Sequence, residues 1–125
     1  MSQEMENALL FVSDFNVILC SSIDETISDL MSVHVMELLY AHLLEEHGIT
    51  RAEVPYRLEL FYSTIENFFS ATGARTIGRT VARNLYKHLN LRFEDNSNFT
   101  LSEYVDEAKK MLQTNTHEVS ILANH

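Results

Sequence analysis

The stretch GARTIGRT, residues 73–80, sets Gly73, four residues, Gly78, Arg79 and Thr80 in an order close to that of a phosphate-binding loop. Such a loop works because backbone N–H groups, left free by a strand-to-helix turn, wrap the anion while a lysine reaches its outer oxygens. Here the lysine position holds Arg79, and the preceding TIENFFSAT has a helical pattern rather than that of a buried strand. Nucleotide chemistry is therefore not expected from this stretch. Its glycines read better as structural. Gly73 closes one helix. Gly78 lies inside the next, where glycine costs about 1 kcal/mol relative to alanine and admits the close approach of a neighbouring element.

On that helix Ile77, Val81, Leu85 and Leu89 share one face, with Gly78 and Ala82 beside them. Arg75, Arg79, Arg83 and Lys87 recur every fourth residue on another face, drifting by about 40° per step into a broad band. Residues 73–92 carry five cations and no acid, a charge of +5, which leaves four cations against 18 acids, −14, in the rest of the chain. Three roles fit such a band. It is a solvated face, or one paired with acids from elsewhere such as Glu37, Glu45, Glu46 or Glu53. It is a docking face for an acidic partner, including the acidic part of a second copy. Or it straddles nucleic-acid phosphates, which the −14 elsewhere would repel.

Other chemistry finds less support. The six histidines never occur as His-x-x-x-His, and no acid stands three residues before any of them, so neither spacing for a bundle metal site is present. His42, Glu45 and Glu46 cluster near a helix end without matching a ligand pattern. His34 and His88 fall on or near apolar faces and read as partly buried. Cys20, between Leu19 and Ser21, lacks the electropositive surroundings of a reactive thiol and reads as a small buried hydrophobe. Phe61, Phe68, Phe69 and Tyr86 could line an aromatic pocket between helices, with a packed core as the simpler alternative. No catalytic residue, metal or cofactor is expected.

The elements that must position these residues are helical. Three glycines and one proline are too few turn formers for an all-β chain of 125 residues. The first 20 residues fit either a helix, with Met5, Leu9, Val12, Phe15 and Leu19 in one stripe, or a small hairpin. Ser22 with Glu25 matches a capping box and predicts a helix start, followed by a pattern that runs to Gly48 with a break near Ser32. RLELFYSTIENFFSATG predicts a third helix, with Leu58, Phe61, Ile65, Phe68 and Phe69 on one side. ARTIGRTVARNLYKHLN predicts a fourth. LRF in the next connector suits a short extended piece. Thr100 with Glu103 predicts the start of a last helix that buries Leu101, Tyr104, Val105, Ala108 and Leu112. Residues 114–125 form a tail with weak signals, expected to be partly disordered. The expectation is an all-α single-domain bundle of about five helices: an N-terminal segment to residue 20, a helical domain over 21–113, and the tail.

Bulk composition narrows the function. A net charge of −9 disfavours non-specific binding to nucleic acid or anionic membrane. One cysteine excludes an internal disulfide and suits a cytoplasmic setting. The start, MSQEMENALLFV, has no basic segment before its apolar run, so no secretory signal is expected. No apolar run approaches the roughly 20 residues needed to span a bilayer.

From residue 24 to about 110 the order DETISDLM, ELLYAHLLEEHGITRAEVPYRLELF, GARTIGRTVARNLYKHLNLRF and FTLSEYVDEAKKML resembles the Nitrosopumilus output domain family. These are small, mostly archaeal helical domains of unassigned activity that occur as output modules of signalling proteins. The shared features are the HGI turn, the VPYR connector, the aromatic-rich helix, the GA start, the NLYKHLNLRF ending and the helix before EAKK. The resemblance implies an all-α fold and carries over no active-site residue. Family members usually hold a glycine near Phe69–Ser70, where this chain has none. Together these points predict a non-enzymatic interaction or signal-output module that self-associates, with Arg75, Arg79, Arg83 and Lys87 as its contact face. The alternatives are a small-molecule sensor using the aromatic residues, and a DNA-binding regulator.

Overall fold

The computed structural model describes the backbone of residues 2–123 and the side chains of residues 14–114. Its elements are α1 (Ser2–Leu30), α2 (Val33–His47), a 3₁₀ turn (Arg51–Tyr56), α3 (Leu58–His88) and α4 (Leu101–Ala123), with no strand among the described residues. The fold is the expected all-α bundle. Among the described residues no helix is long and apolar enough to cross a membrane.

The first 20 residues take the helical option, not the hairpin, and α1 runs on past them without a break. The helix start expected at Ser22 does not occur. Phe15, Leu19, Ile23 and Ile27 recur at four-residue spacing and are all buried, so one apolar stripe crosses the proposed cap and the core it faces overrides the local signal. Ser22 is buried within the helix and its hydroxyl donates to the Ile18 carbonyl at 2.8 Å. Met5, Leu9 and Val12 lie outside the described side chains. The break near Ser32 is real. Ser32 accepts a hydrogen bond from the Val35 N–H at 3.1 Å and caps α2. Gly48 closes α2 in the left-handed conformation, φ 67°, with its N–H on the Leu44 carbonyl at 3.0 Å.

α3 is two helical limbs joined by one residue. Ser70 has φ 72° and ψ 169°, whereas the residues on either side are helical. The end expected at Gly73 is therefore displaced by three residues. Gly73 sits in the first turn of the second limb, where its N–H donates to Ser70 Oγ at 3.3 Å and a Cβ would stand 3.0 Å from Phe69 Cβ. The limbs fold back on each other. A straight helix would separate residues 62 and 78 by about 24 Å, yet a Cβ at Gly78 would lie 3.2 Å from Tyr62 Cε2. Tyr62 and Glu66 of the first limb and Ala71 and Arg75 of the second line one cleft together with residues 97–100 of the connector. GARTIGRT thus lies in helix, and helix rather than strand precedes it, so the strand-to-helix turn of a phosphate-binding loop is not formed here.

The second limb, residues 71–88, is the centre of the bundle. Ala74, Ile77, Val81, Ala82 and Leu85 are buried along it. α1 packs on one side and α4 on another, while α2 and the 3₁₀ turn pack on α1. Gly78 provides the close approach, with Leu101 Cβ 3.6 Å from where its own Cβ would be. Against α1, Asn84 Nδ2 donates to Thr26 Oγ1 at 2.9 Å, which gives the buried hydroxyl of α1 a partner across the interface. The LRF stretch of the connector after α3, expected as a short extended piece, forms no strand. The connector turns before it at Asn90 (φ 57°), and Leu91, Phe93 and Phe99 pack against the core. Thr100 and Glu103 form the capping box expected there: the Glu103 N–H donates to Thr100 Oγ1 at 3.3 Å and the Thr100 N–H to Glu103 Oε1 at 3.2 Å. The α4 backbone continues to Ala123, beyond residue 113 where a tail was expected; the side chains of that tail lie outside the described residues.

Candidate interaction face

The second limb of α3 separates its two kinds of side chain cleanly. The apolar set points into the bundle, and Arg75, Arg83 and Lys87 are exposed, with Arg79 half-exposed between them. The separation follows from the helical period: the apolar positions cluster at three- and four-residue spacing and the cations fall on the opposite arc.

The four cations are held differently. Arg79 reaches Asp95 at 3.6 Å, with both side chains about half exposed, so this ion pair is weak. The Arg83 guanidinium lies over the Phe93 ring, 5.7 Å from its centroid. Both partners belong to the connector after α3, so the middle of the band braces its own chain. Arg75 and Lys87 have no ion pair with a described residue. Twelve residues apart, they stand about 18 Å from one another along the limb. Arg75 nevertheless acts at short range: burial pushes the Tyr62 phenol up, Glu66 adds to the rise, and Arg75 opposes it. None of Glu37, Glu45, Glu46 or Glu53 pairs with the band among the described residues; Glu53 instead caps the 3₁₀ turn through the Thr50 N–H at 3.0 Å.

The four aromatic residues expected to share a pocket do not line one cleft. Phe61 is wholly inside the core. Phe68 is 46 % exposed and meets the His42 ring edge-on at 4.9 Å. Phe69 is half-buried beside it. Tyr86 belongs to a separate cluster in which its hydroxyl donates to the Tyr104 carbonyl at 2.7 Å and its ring meets Phe93 and Tyr104 edge-on. An open cleft of about 560 Å³ includes Tyr86, Tyr104 and Phe99, and its rim carries Arg92, Glu94, Asp95 and Glu107. Burial first, then Glu107, pushes the Tyr86 phenol up to about 12.

His34 and His88 are exposed, contrary to the expectation that both are partly buried. His88 Nε2 lies 2.8 Å from Glu25 Oε2 and ties the end of the limb to α1. Cys20 is buried, as its neighbours imply; burial raises its thiol and its Sγ lies 3.6 Å from the Arg51 carbonyl. Two features were not read from the sequence. One is the Asp24 carboxylate, which accepts from Tyr40 at 2.5 Å and from Arg51 Nε at 2.8 Å, joining α1, α2 and the 3₁₀ turn. Partners 16 and 27 residues away leave no local pattern to find. The other is Ser70, whose sole signal was the missing glycine. Among the described residues no group of three or more His, Cys, Asp or Glu side chains could hold a metal ion.

No family model, curated protein or solved structure matches the chain.

Proposed function

We propose that the chain is a non-enzymatic cytoplasmic interaction module, of the output kind implied by the resemblance over residues 24–110. It docks an acidic protein surface, that of a second copy included, through the outer face of the second limb of α3. The observation that carries this reading is charge segregation: +5 within residues 73–92 against −14 elsewhere. Opposed patches of this kind steer encounter and fix orientation more than they add affinity. Arg75 and Lys87 are the contact residues, because Arg79 and Arg83 are already engaged with Asp95 and Phe93.

Sedimentation equilibrium of the whole chain tests this. Raising salt from 50 to 500 mM should weaken association at least about tenfold. Arg75→Glu with Lys87→Glu should do the same at 50 mM. Association indifferent to both salt and charge reversal would remove the basic face from the account.

A further inference from the structure

A one-residue link between two long helices is an unusual way to turn a chain. Residues 58–69 and 71–88 are helical, and only Ser70 departs from helical angles. Its φ of 72° and ψ of 169° lie where glycine alone sits without strain. Serine pays that strain, and the cap that its Oγ gives the Gly73 N–H returns little of it. Rotation at this single residue to ordinary helical angles would turn α3 into one unbroken rod of 31 residues.

We propose that α3 opens at Ser70 and that two copies of the chain exchange limbs. In the exchanged dimer two straight α3 helices lie antiparallel about a two-fold axis near Ser70. Each second limb and α4 packs on α1 and the first limb of the other copy. Every contact that the hairpin makes is remade between copies: Tyr62 against Gly78, Asn84 on Thr26, His88 on Glu25. What differs is the turn. The hairpin holds a strained serine, and the rod holds that serine in a helix with its backbone hydrogen bonds continued. Short strained hinges favour exchange for this reason, and a self-matched contact of this kind closes at two copies. The inference rests on the self-association reading for its partner, a second copy, but not on the basic face.

The test is a pair of substitutions with opposite expected signs, read by sedimentation of the refolded full chain. Ser70→Gly accommodates the turn and weakens the rod, so dimerisation should fall about tenfold for each protomer relieved, about a hundredfold in all. Ser70→Ala keeps the strain, loses the cap and favours the rod, so the dimer should grow. Spin labels at Glu59→Cys and Thr76→Cys, in a Cys20→Ala background diluted with unlabelled chain, report the shape within one copy. The dimer should show about 26 Å, the length of 17 residues of straight helix. The monomer should show about 15 Å or less, as for packed antiparallel limbs. A dimer that keeps the short distance, or whose population ignores both Ser70 substitutions, overturns the exchange. If that same dimer is lost on reversing Arg75 and Lys87, the basic face stands without it. Long-distance dimers unaffected by that reversal support the exchange and remove the basic face. A chain monomeric at every concentration overturns the exchange and removes a second copy as the partner of the basic face.

Discussion

The second limb of α3 is held in opposite ways at its two ends. At residues 85–88 the Tyr86 hydroxyl is bonded to the Tyr104 carbonyl, Phe93 packs edge-on, and Tyr104 in turn receives the Asn96 N–H at 2.8 Å. Donor, acceptor and ring geometry all agree there. At residues 70–73 a single strained serine makes the turn, and Phe68 beside it is exposed. The first end is over-determined by buried contacts. The second has a turn that its residue type disfavours. The difference separates what fixes the fold from what can move within it: closure of the aromatic end sets the register of α3 against α4, and the turn at Ser70 is where that helix has an alternative.

The aromatic end should fail most severely. Tyr104→Ala removes a buried ring that meets Tyr86, Phe93 and Phe99, and should cost about 3–5 kcal/mol in urea unfolding. Tyr104→Phe keeps the ring and frees the connector at Asn96, for a loss of about 1–2 kcal/mol. Equal losses in the two variants would mean that the hydroxyl, not the ring, closes this end.

The same end carries a pH signature. Tyr86 titrates at about 12 in the folded chain against an ordinary value near 10. Since the folded value is the higher one, the neutral phenol is favoured by folding. Its contribution is whole below pH 10 and is lost as pH rises from 10 through 12. The decrease across that window should be smaller in Tyr86→Phe than in the wild type by on the order of 1–2 kcal/mol, the remainder coming from the Tyr40 and Tyr62 phenols, which burial also pushes up. A decrease of the same size in Tyr86→Phe as in the wild type would assign the whole effect to the other phenols.

The turn should behave in the reverse sense. Ser70→Gly relieves a φ of 72° at the expense of a more flexible unfolded chain, and should raise monomer stability by about 1 kcal/mol, roughly 3–6 °C in midpoint. If glycine destabilises the monomer there, Ser70 is not strained and the contrast between the ends collapses.

Much of this was legible in the sequence where one signal dominated. The α3 stripe, the Gly48 stop, the Ser32 break and the Thr100–Glu103 cap each rest on residues within four positions of one another, so local patterns sufficed. Ser22–Glu25 looks the same locally but fails, because the apolar period from Phe15 to Ile27 runs through it and burial outweighs a cap. The basic row was legible as a face. Its division into the engaged pair, Arg79 and Arg83, and the exposed pair, Arg75 and Lys87, was not, since it depends on how the 91–96 connector folds back. The aromatic pocket failed for a related reason: hydrophobic spacing places Phe61 and Tyr86 inward without saying which neighbours they meet. Gly73 drew attention as the turn because glycine is the usual turn former, whereas the chain bends at the serine three residues earlier.

The smallest effect concerns the tie from the aromatic end to α1. His88 and Glu25 meet at 2.8 Å, but their side chains are 42 % and 38 % exposed. Water competes for both groups and salt screens them, so the pair should contribute no more than about 0.5 kcal/mol. A double-mutant cycle of His88→Ala and Glu25→Ala at pH 6 and 100 mM salt measures the coupling free of each residue's other contacts. The buried neighbour provides the control. Asn84→Ala leaves the buried Thr26 hydroxyl with only its bond to the Ser22 carbonyl, and should cost about 1–2 kcal/mol. A coupling at the surface pair as large as that loss would place the hold on α1 at the rim of the interface. The small value expected instead leaves it with Asn84, Thr26 and the apolar face between them.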